Sequence, residues 1–335
     1  MPEQKSTHPY ARLTPDRILD AVESVGYRCD GRLQALNSYE NRVYQVGVEG
    51  AGPVVVKFYR PGRWSDEAIL EEHAFTLELA EHEIPVVPPL AGPGGRTLHR
   101  FEGFRFAVFP KRPGRTPELE DPEILRWMGR FMGRIHAVGR TRPFVHRPVL
   151  NVETFGLRPF RFVMEGGFLP PYLETPYRTL VEDVLGRVGR CFERAGLRPD
   201  GTEGIRLHGD CHPGNLLWTR EGPHFVDFDD CRTGPAVQDL WMLVSGDRAA
   251  MASQMARVLE GYTQFCDFDL RELHLVEALR TLRMIHHAGW LARRWDDPAF
   301  PASFPWFGTP RYWEEQILAL REQAALLDEP PLEVG

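Results

Sequence analysis

The spacing of apolar residues changes period along this chain, and the changes outline its elements. Residues 14–26 carry apolar positions at helical steps. Thr14 is placed to cap the N-terminus, Pro15 takes the first helical position, and Gly26 follows the end, so a short helix is predicted. The period then drops to two. In Asn41–Val48, Val43, Gln45 and Gly47 alternate with Tyr44, Val46 and Val48. Pro53–Tyr59 is a compact β-branched run, and Glu49–Gly52 between them reads as the turn of a hairpin. Helical spacing returns over 66–82 through Ile69, Leu70, His73, Leu77 and Ala80, and Pro85, Pro88 and Pro89 stop it. A second strand pair, 97–101 and 104–109, turns at Glu102 and Gly103. Pro110–Gly114 has the composition of a linker.

Beyond the linker the pattern is mostly helical. Residues 121–138 place Ile124, Met128, Phe131, Met132 and Ile135 on one face, and segments 172–195, 236–265, 270–294 and 311–327 have helical period and length. The exception lies in the middle. Ile205–Leu207, Asn215–Trp218 and His224–Phe228 are short apolar runs separated by turns, which is hairpin chemistry inside a helical region. The order predicts an α+β chain with two lobes: a small antiparallel sheet with a helix over 1–110, and a mainly helical part over 111–335.

Composition narrows the classes. The chain has 335 residues, 42% hydrophobic and 26% charged, an ordinary globular balance. Its net charge of −7 lacks the basic footprint of a nucleic-acid binder. Cys29, Cys191, Cys211, Cys231 and Cys266 are odd in number and form no CxxC pair, so neither a disulfide framework nor a zinc site is read from them. Met1–Ser6 leads into no apolar leader segment, and no window reaches the length of a membrane span. These features predict a cytoplasmic, monomeric protein without a membrane partner.

The chemistry concentrates between His208 and Asp229. Asp210 lies in a loop held by Gly209, Pro213 and Gly214; Asn215 follows five residues later and Asp227 twelve beyond that. If the two runs pair, Asn215 and Asp227 meet at the open end of the hairpin. A carboxylate beside a carboxamide is a hard oxygen site suited to magnesium that carries phosphate oxygens. A second carboxylate not tied to the metal, Asp210, can orient or accept a hydroxyl proton. This is the phosphoryl-transfer arrangement, which also asks for a lysine on a strand and a glutamate on the next helix. Lys57 sits in the β-branched run. Glu71 and Glu72 both lie on the next helix, and the distance to the Ile84–Pro85 turn favours Glu72.

The surrounding residues have plainer readings. His208 supports the loop, because the neighbouring glycines and proline exclude a helix that would make His208 and His212 a metal pair. His286 and His287, in an apolar helix, line a core or a cleft. Asp239 braces the loop, and Asp229 and Asp230 form a solvated turn, with metal binding as the other reading of one of them.

The run His208–Asn215 followed by Val226–Phe228 resembles the aminoglycoside phosphotransferase and choline kinase branch of the protein kinase-like fold. Leu36–Tyr44, Val56–Pro61, Ile69–His73, Val237–Met242 and Arg294–Pro301 narrow the resemblance to the bacterial stress response kinase A family, over almost the whole chain. The resemblance implies a bilobal kinase-like fold and an ATP- and magnesium-dependent serine/threonine protein kinase linked to stress survival. It implies Asp210 as proton acceptor, Asn215 and Asp227 as magnesium ligands, and Ser38 at the ATP phosphates. No GxGxxG loop precedes Lys57; residues 37–41 stand there instead, and no APE motif follows. Two alternatives remain open: a small-molecule kinase acting on an amino alcohol, choline-type or aminoglycoside hydroxyl, and a metal-dependent hydrolase built on His208, Asp210 and His212.

Overall fold

The computed structural model describes residues 9–334; the Met1–Ser6 run lies outside them. In chain order the first elements are α1 (Pro15–Glu23), β1 (Cys29–Leu36), β2 (Arg42–Val48), β3 (Val54–Phe58), α2 (Asp66–Glu81), β4 (His99–Phe101) and β5 (Phe104–Pro110). Then follow α3 (Pro122–Gly139), α4 (Arg158–Glu165), α5 (Pro171–Arg194), β6 (Ile205–Leu207), β7 (Leu216–Thr219), β8 (Gly222–Phe225) and β9 (Arg232–Gly234). The chain closes with α6 (Val237–Trp241), α7 (Arg248–Tyr262), α8 (Val276–Arg293), α9 (Ala299–Ser303) and α10 (Pro310–Leu326). They group into two compact units, residues up to 116 with 214–229, and 117–213 with 230 onward.

The first unit is an antiparallel sheet of five strands in the order β1-β2-β3-β5-β4. Strand alternation assigns its two faces. Val54, Val56 and Phe58 of β3 join Val46, Val48, Phe104, Phe106 and Val108 in a core covered by Ile18, Ala21 and Val22 of α1. The opposite parity, Lys57 and Tyr59, faces α2, where Tyr59, Ile69 and Ala107 pack together. A lysine in the middle of an apolar strand is thereby turned toward the helix that carries glutamates.

β1 escapes the periodicity reading because its sequence, Cys29–Leu36, is an edge strand with mostly exposed side chains and no apolar alternation. The β7–β8 hairpin belongs to this unit, whereas the sequence pattern groups it with the helices. Backbone bonds explain the difference: Phe225 N donates to Pro85 O at 2.8 Å, and Arg115 and Trp218 exchange bonds of 3.0 and 2.6 Å.

The second unit is helical, with β6 and β9 paired across its loop region. α3 and α7 pack closely because glycines face backbone; a methyl at Gly129 would collide with Val258 O, and one at Gly261 with Arg126 O. The predicted helix 236–265 is interrupted. α6 ends at Trp241, Gly246 takes a positive φ, and the Asp247 side chain caps α7 by accepting from Ala250 N at 2.8 Å. Ser245–Asp247 contains both a stop and a start signal. The predicted 270–294 helix opens with a 3-10 segment, Leu270–Leu275, before α8. A π-helical turn over Val152–Leu157, α4 and α9 are additions to the sequence reading.

Candidate active site

Lys57 is the centre of a buried charge cluster in the sheet unit. Its Nζ lies 3.2 Å from Glu72 Oε1, 3.0 Å from Asp227 Oδ1 and 3.2 Å from Asp229 Oδ1. Glu72 reaches it because Ile69, Phe75, Thr76 and Leu79 bury the same face of α2, placing Glu72 inward at three- and four-residue steps, while Glu71 is less buried. Burial opposes the charge of Lys57, but Asp227, Asp229 and Glu72 outweigh it and hold the ammonium well above the usual lysine range. Lys57 is therefore a fixed cation.

Asp229 departs from the solvated-turn reading. It is buried, and besides Lys57 it pairs with Arg63. Arg63 Nε also lies 3.7 Å from Glu40 Oε1, as does Arg60 Nε. Glu40 belongs to the turn of residues 37–41, which joins β1 to β2. The next residue, Asn41, accepts from Arg60 N through Oδ1 at 3.1 Å, and the Tyr10 hydroxyl donates to Glu40 O at 3.2 Å. Ser38 lies in this turn and donates its hydroxyl to Asn41 O at 3.1 Å. Where a GxGxxG loop would be supple, this turn is tied by charge to the lysine cluster. Sequence reasoning passed over Arg63, because an arginine after Pro61-Gly62 carries no motif.

Asn215 and Asp227 flank the open end of the hairpin. Leu216 pairs with Phe225, and Val226 N donates to Asn215 O at 3.1 Å, so Asp227 follows directly on the residue bonded to Asn215. Asp227 lies beyond β8, with φ of 59°. A non-glycine residue in that left-handed region marks a position held by its surroundings. Its side chain is 52% exposed although Lys57 holds one oxygen. Among the described residues no three His, Cys, Asp or Glu side chains converge into a metal cluster. Two protein oxygens, one from Asn215 and one from Asp227, nonetheless fit magnesium, which keeps waters and phosphate oxygens in its shell instead of demanding a protein cage.

Asp210 belongs to the helical unit. Gly209 ahead of it has φ of 85°, and a methyl there would collide with Asp230 O, so glycine is required. The loop hangs from α6. Asp239 accepts from His208 N through Oδ2 and from Gly209 N through Oδ1, both at 2.8 Å, and Gln238 Nε2 donates to Gly209 O at 3.2 Å. His136 of α3 stands 3.1 Å from Asp239 Oδ2 and 3.0 Å from the Tyr262 hydroxyl. The bracing role read for Asp239 is present, and Gln238 and His136 extend it. His208 is buried and accepts from Asp210 N through Nδ1 at 3.3 Å, a supporting position. Among the described residues, His208, Asp210 and His212 do not form a group that could hold a metal ion.

The Asp210 carboxylate lies 3.5 Å from His212 Nε2 and accepts from Arg283 Nη1 at 2.7 Å. Burial opposes its ionisation, yet the His212 bond and the Arg283 charge hold its carboxyl below the usual range. His286, assigned to a core or a cleft, stacks on Phe155 at 4.2 Å; burial, with Arg232 nearby, pushes its pKa down to about 3.

The phosphotransferase enzyme family matches residues 32–276. Stress response kinase A of Escherichia coli (strain K12) is 44% identical over 329 residues, covering 98% of each chain. Serine/threonine protein kinase RdoA of Salmonella typhimurium is 42% identical over 325 residues, 97% of each. Amicoumacin kinase hAmiN, solved in complex with AMP-PNP, Ca2+ and Ami, superposes with a TM-score of 0.72 at 18% identity, over 95% of this chain and 94% of that one. The microcompartment-associated aminopropanol kinase follows at 0.68 and 19%, over 93% and 96%. At such identities the solved structures establish the kinase-like fold.

Proposed function

The chain belongs to the phosphotransferase enzyme family, among the stress response kinase A proteins, and from that premise we propose that it phosphorylates serine or threonine hydroxyls of proteins. It is an ATP-dependent kinase. The observation that carries the site assignment is Lys57, buried between Glu72, Asp227 and Asp229. Lys57, fixed by Glu72, pairs with the nucleotide phosphates, and Ser38 contributes its hydroxyl from the turn before β2. Asn215 and Asp227 hold magnesium, which when bound neutralises charge on the phosphates. Asp210 receives the acceptor hydroxyl proton.

The protein acceptor is supported by relatives that match along nearly their full length, one of them named a serine/threonine protein kinase. The five cysteines are all free thiols, and no helix among the described residues is long and apolar enough to cross a membrane. Both fit a cytoplasmic enzyme, which we take to be monomeric; gel filtration tests the last point. The deciding experiment incubates the wild type and Asp210→Asn with γ-labelled ATP and either the protein or the small-molecule fraction of cells. Label in phosphoserine or phosphothreonine that depends on Asp210 is expected. Label confined to the small-molecule fraction contradicts the protein acceptor.

A further inference from the structure

The surface beside Asp210 has a composition that the transfer chemistry alone does not require. Arg283 of α8 donates to Asp210 Oδ1 at 2.7 Å while its side chain remains 42% exposed. The helix beneath it is fixed, because Leu279, Leu282 and Ile285 are buried. One turn further along, on the same face, lies His287. Its ring stacks on Trp290 with centroids 5.6 Å apart and planes 25° apart, and on Trp306 at 6.4 Å and 27°. Trp306 is itself 42% exposed and continues to Tyr312 at 5.1 Å. Desolvation among these rings, and then the charge of Arg283, push the pKa of His287 down. The base is thus followed by one guanidinium and then by a shelf of aromatic rings.

A guanidinium on Oδ1 handicaps a proton acceptor twice. It occupies an acceptor position on Oδ1 where the hydroxyl proton could go, and it stabilises the charged carboxylate, which weakens the base. The pair serves the reaction only if the acceptor itself draws the arginine away. Arginine suits that exchange, since its planar fork matches a second carboxylate as well as the first.

We propose that Arg283 selects the acceptor: it binds an acidic side chain next to the target serine or threonine, His287 and Trp306 receive apolar residues beyond it, and its departure frees Asp210 Oδ1. In the transfer the acceptor oxygen forms the new bond to phosphorus, the bond from phosphorus to ADP breaks, and the hydroxyl proton goes to Asp210. Without an acidic acceptor Asp210 stays capped, and water is a poor acceptor. The proposal rests on the protein-kinase reading for its peptide, but not for the capping of the base.

The test uses the full chain and two serine peptides that differ only in aspartate or asparagine beside the serine. Wild type, Arg283→Gln and Arg283→Lys are compared for transfer, and for ATP hydrolysis without peptide. The wild type is expected to prefer the aspartate peptide by about tenfold in kcat/KM, the size of one charge-assisted hydrogen bond. Arg283→Gln is expected to lose that preference through KM for the acidic peptide, to leave KM for ATP in place, and to hydrolyse ATP faster than the wild type. Arg283→Lys, with a point charge, retains part of the preference. A preference that survives in Arg283→Gln overturns the proposal, as does hydrolysis that fails to rise in a variant folded by circular dichroism. If neither peptide is phosphorylated by the wild type, the protein-acceptor reading falls. The hydrolysis arm still decides whether Arg283 caps the base.

Discussion

The two units hold their key carboxylates by different means. In the sheet unit Glu72, Asp227 and Asp229 are set by charge, all converging on Lys57, with Arg63 behind Asp229. In the helical unit Asp210 is set mainly by a loop whose backbone hangs from Asp239 and Gln238, with Arg283 at its exposed side. The first device is electrostatic, so neutralising one member retunes the others. The second is geometric, so losing a brace displaces the loop. Nucleotide affinity is therefore expected to follow the cluster, and the rate of transfer to follow the loop.

The largest expected effect separates these roles. Asp210→Ala lowers transfer by roughly 10²–10⁴-fold, the range of a lost general base, when measured by single turnover. Next comes the brace. Asp239→Ala removes the bonds to His208 N and Gly209 N and the contact with His136, leaving buried donors unpaired, and is expected to cost on the order of 3 kcal/mol in urea unfolding, together with most of the activity. If stability and rate are both retained, the loop does not depend on α6.

The cluster gives a smaller effect and a sharper control. Glu72→Gln, by freeing Lys57 on one side, raises KM for ATP by about fivefold, close to 1 kcal/mol. Glu71→Gln, off the buried face, changes stability by less than about 0.5 kcal/mol and leaves KM in place. Equal effects from the two would erase the distinction between the faces of α2.

The smallest effect concerns pH. The folded-state pKa of Asp210 is depressed, so the base stays ionised as pH falls below the ordinary carboxylate value, whereas the stability its partners confer is complete above that value and is lost progressively as pH falls from it through the lower folded pKa. The acid limb of kcat/KM should lie below that ordinary range and move to higher pH in Arg283→Gln. An acid limb unmoved by that substitution would show that Arg283 does not tune the base.

Much of this was legible beforehand because it follows from periodicity. The compact β-branched run Val54–Tyr59 identifies the strand that carries Lys57, and the turn residues of 208–215 identify a loop. The pairing of the two runs around Asn215 and Asp227 followed from their apolar character. What escaped depends on tertiary partners. β1 is an exposed edge strand, and the hairpin's attachment to the sheet unit is made by backbone bonds to Pro85 and Arg115, which no side-chain pattern records. Arg63 and Arg283 lie far in sequence from the carboxylates they meet, and a lone arginine on a helix or after a turn ordinarily reads as a solvated charge. Asp229 read as surface for the same reason: its burial is made possible by cations supplied from elsewhere in the chain.

The central claim is that cluster and loop divide binding from chemistry. Calorimetric titration of ATP with magnesium onto Asp210→Asn and Asp227→Asn, with the transfer rate taken on the same samples, tests it most directly. The account predicts wild-type nucleotide affinity without transfer for Asp210→Asn, and weakened magnesium-dependent affinity for Asp227→Asn. Transfer at the wild-type rate by Asp210→Asn, or undiminished magnesium-dependent binding by Asp227→Asn, would contradict it.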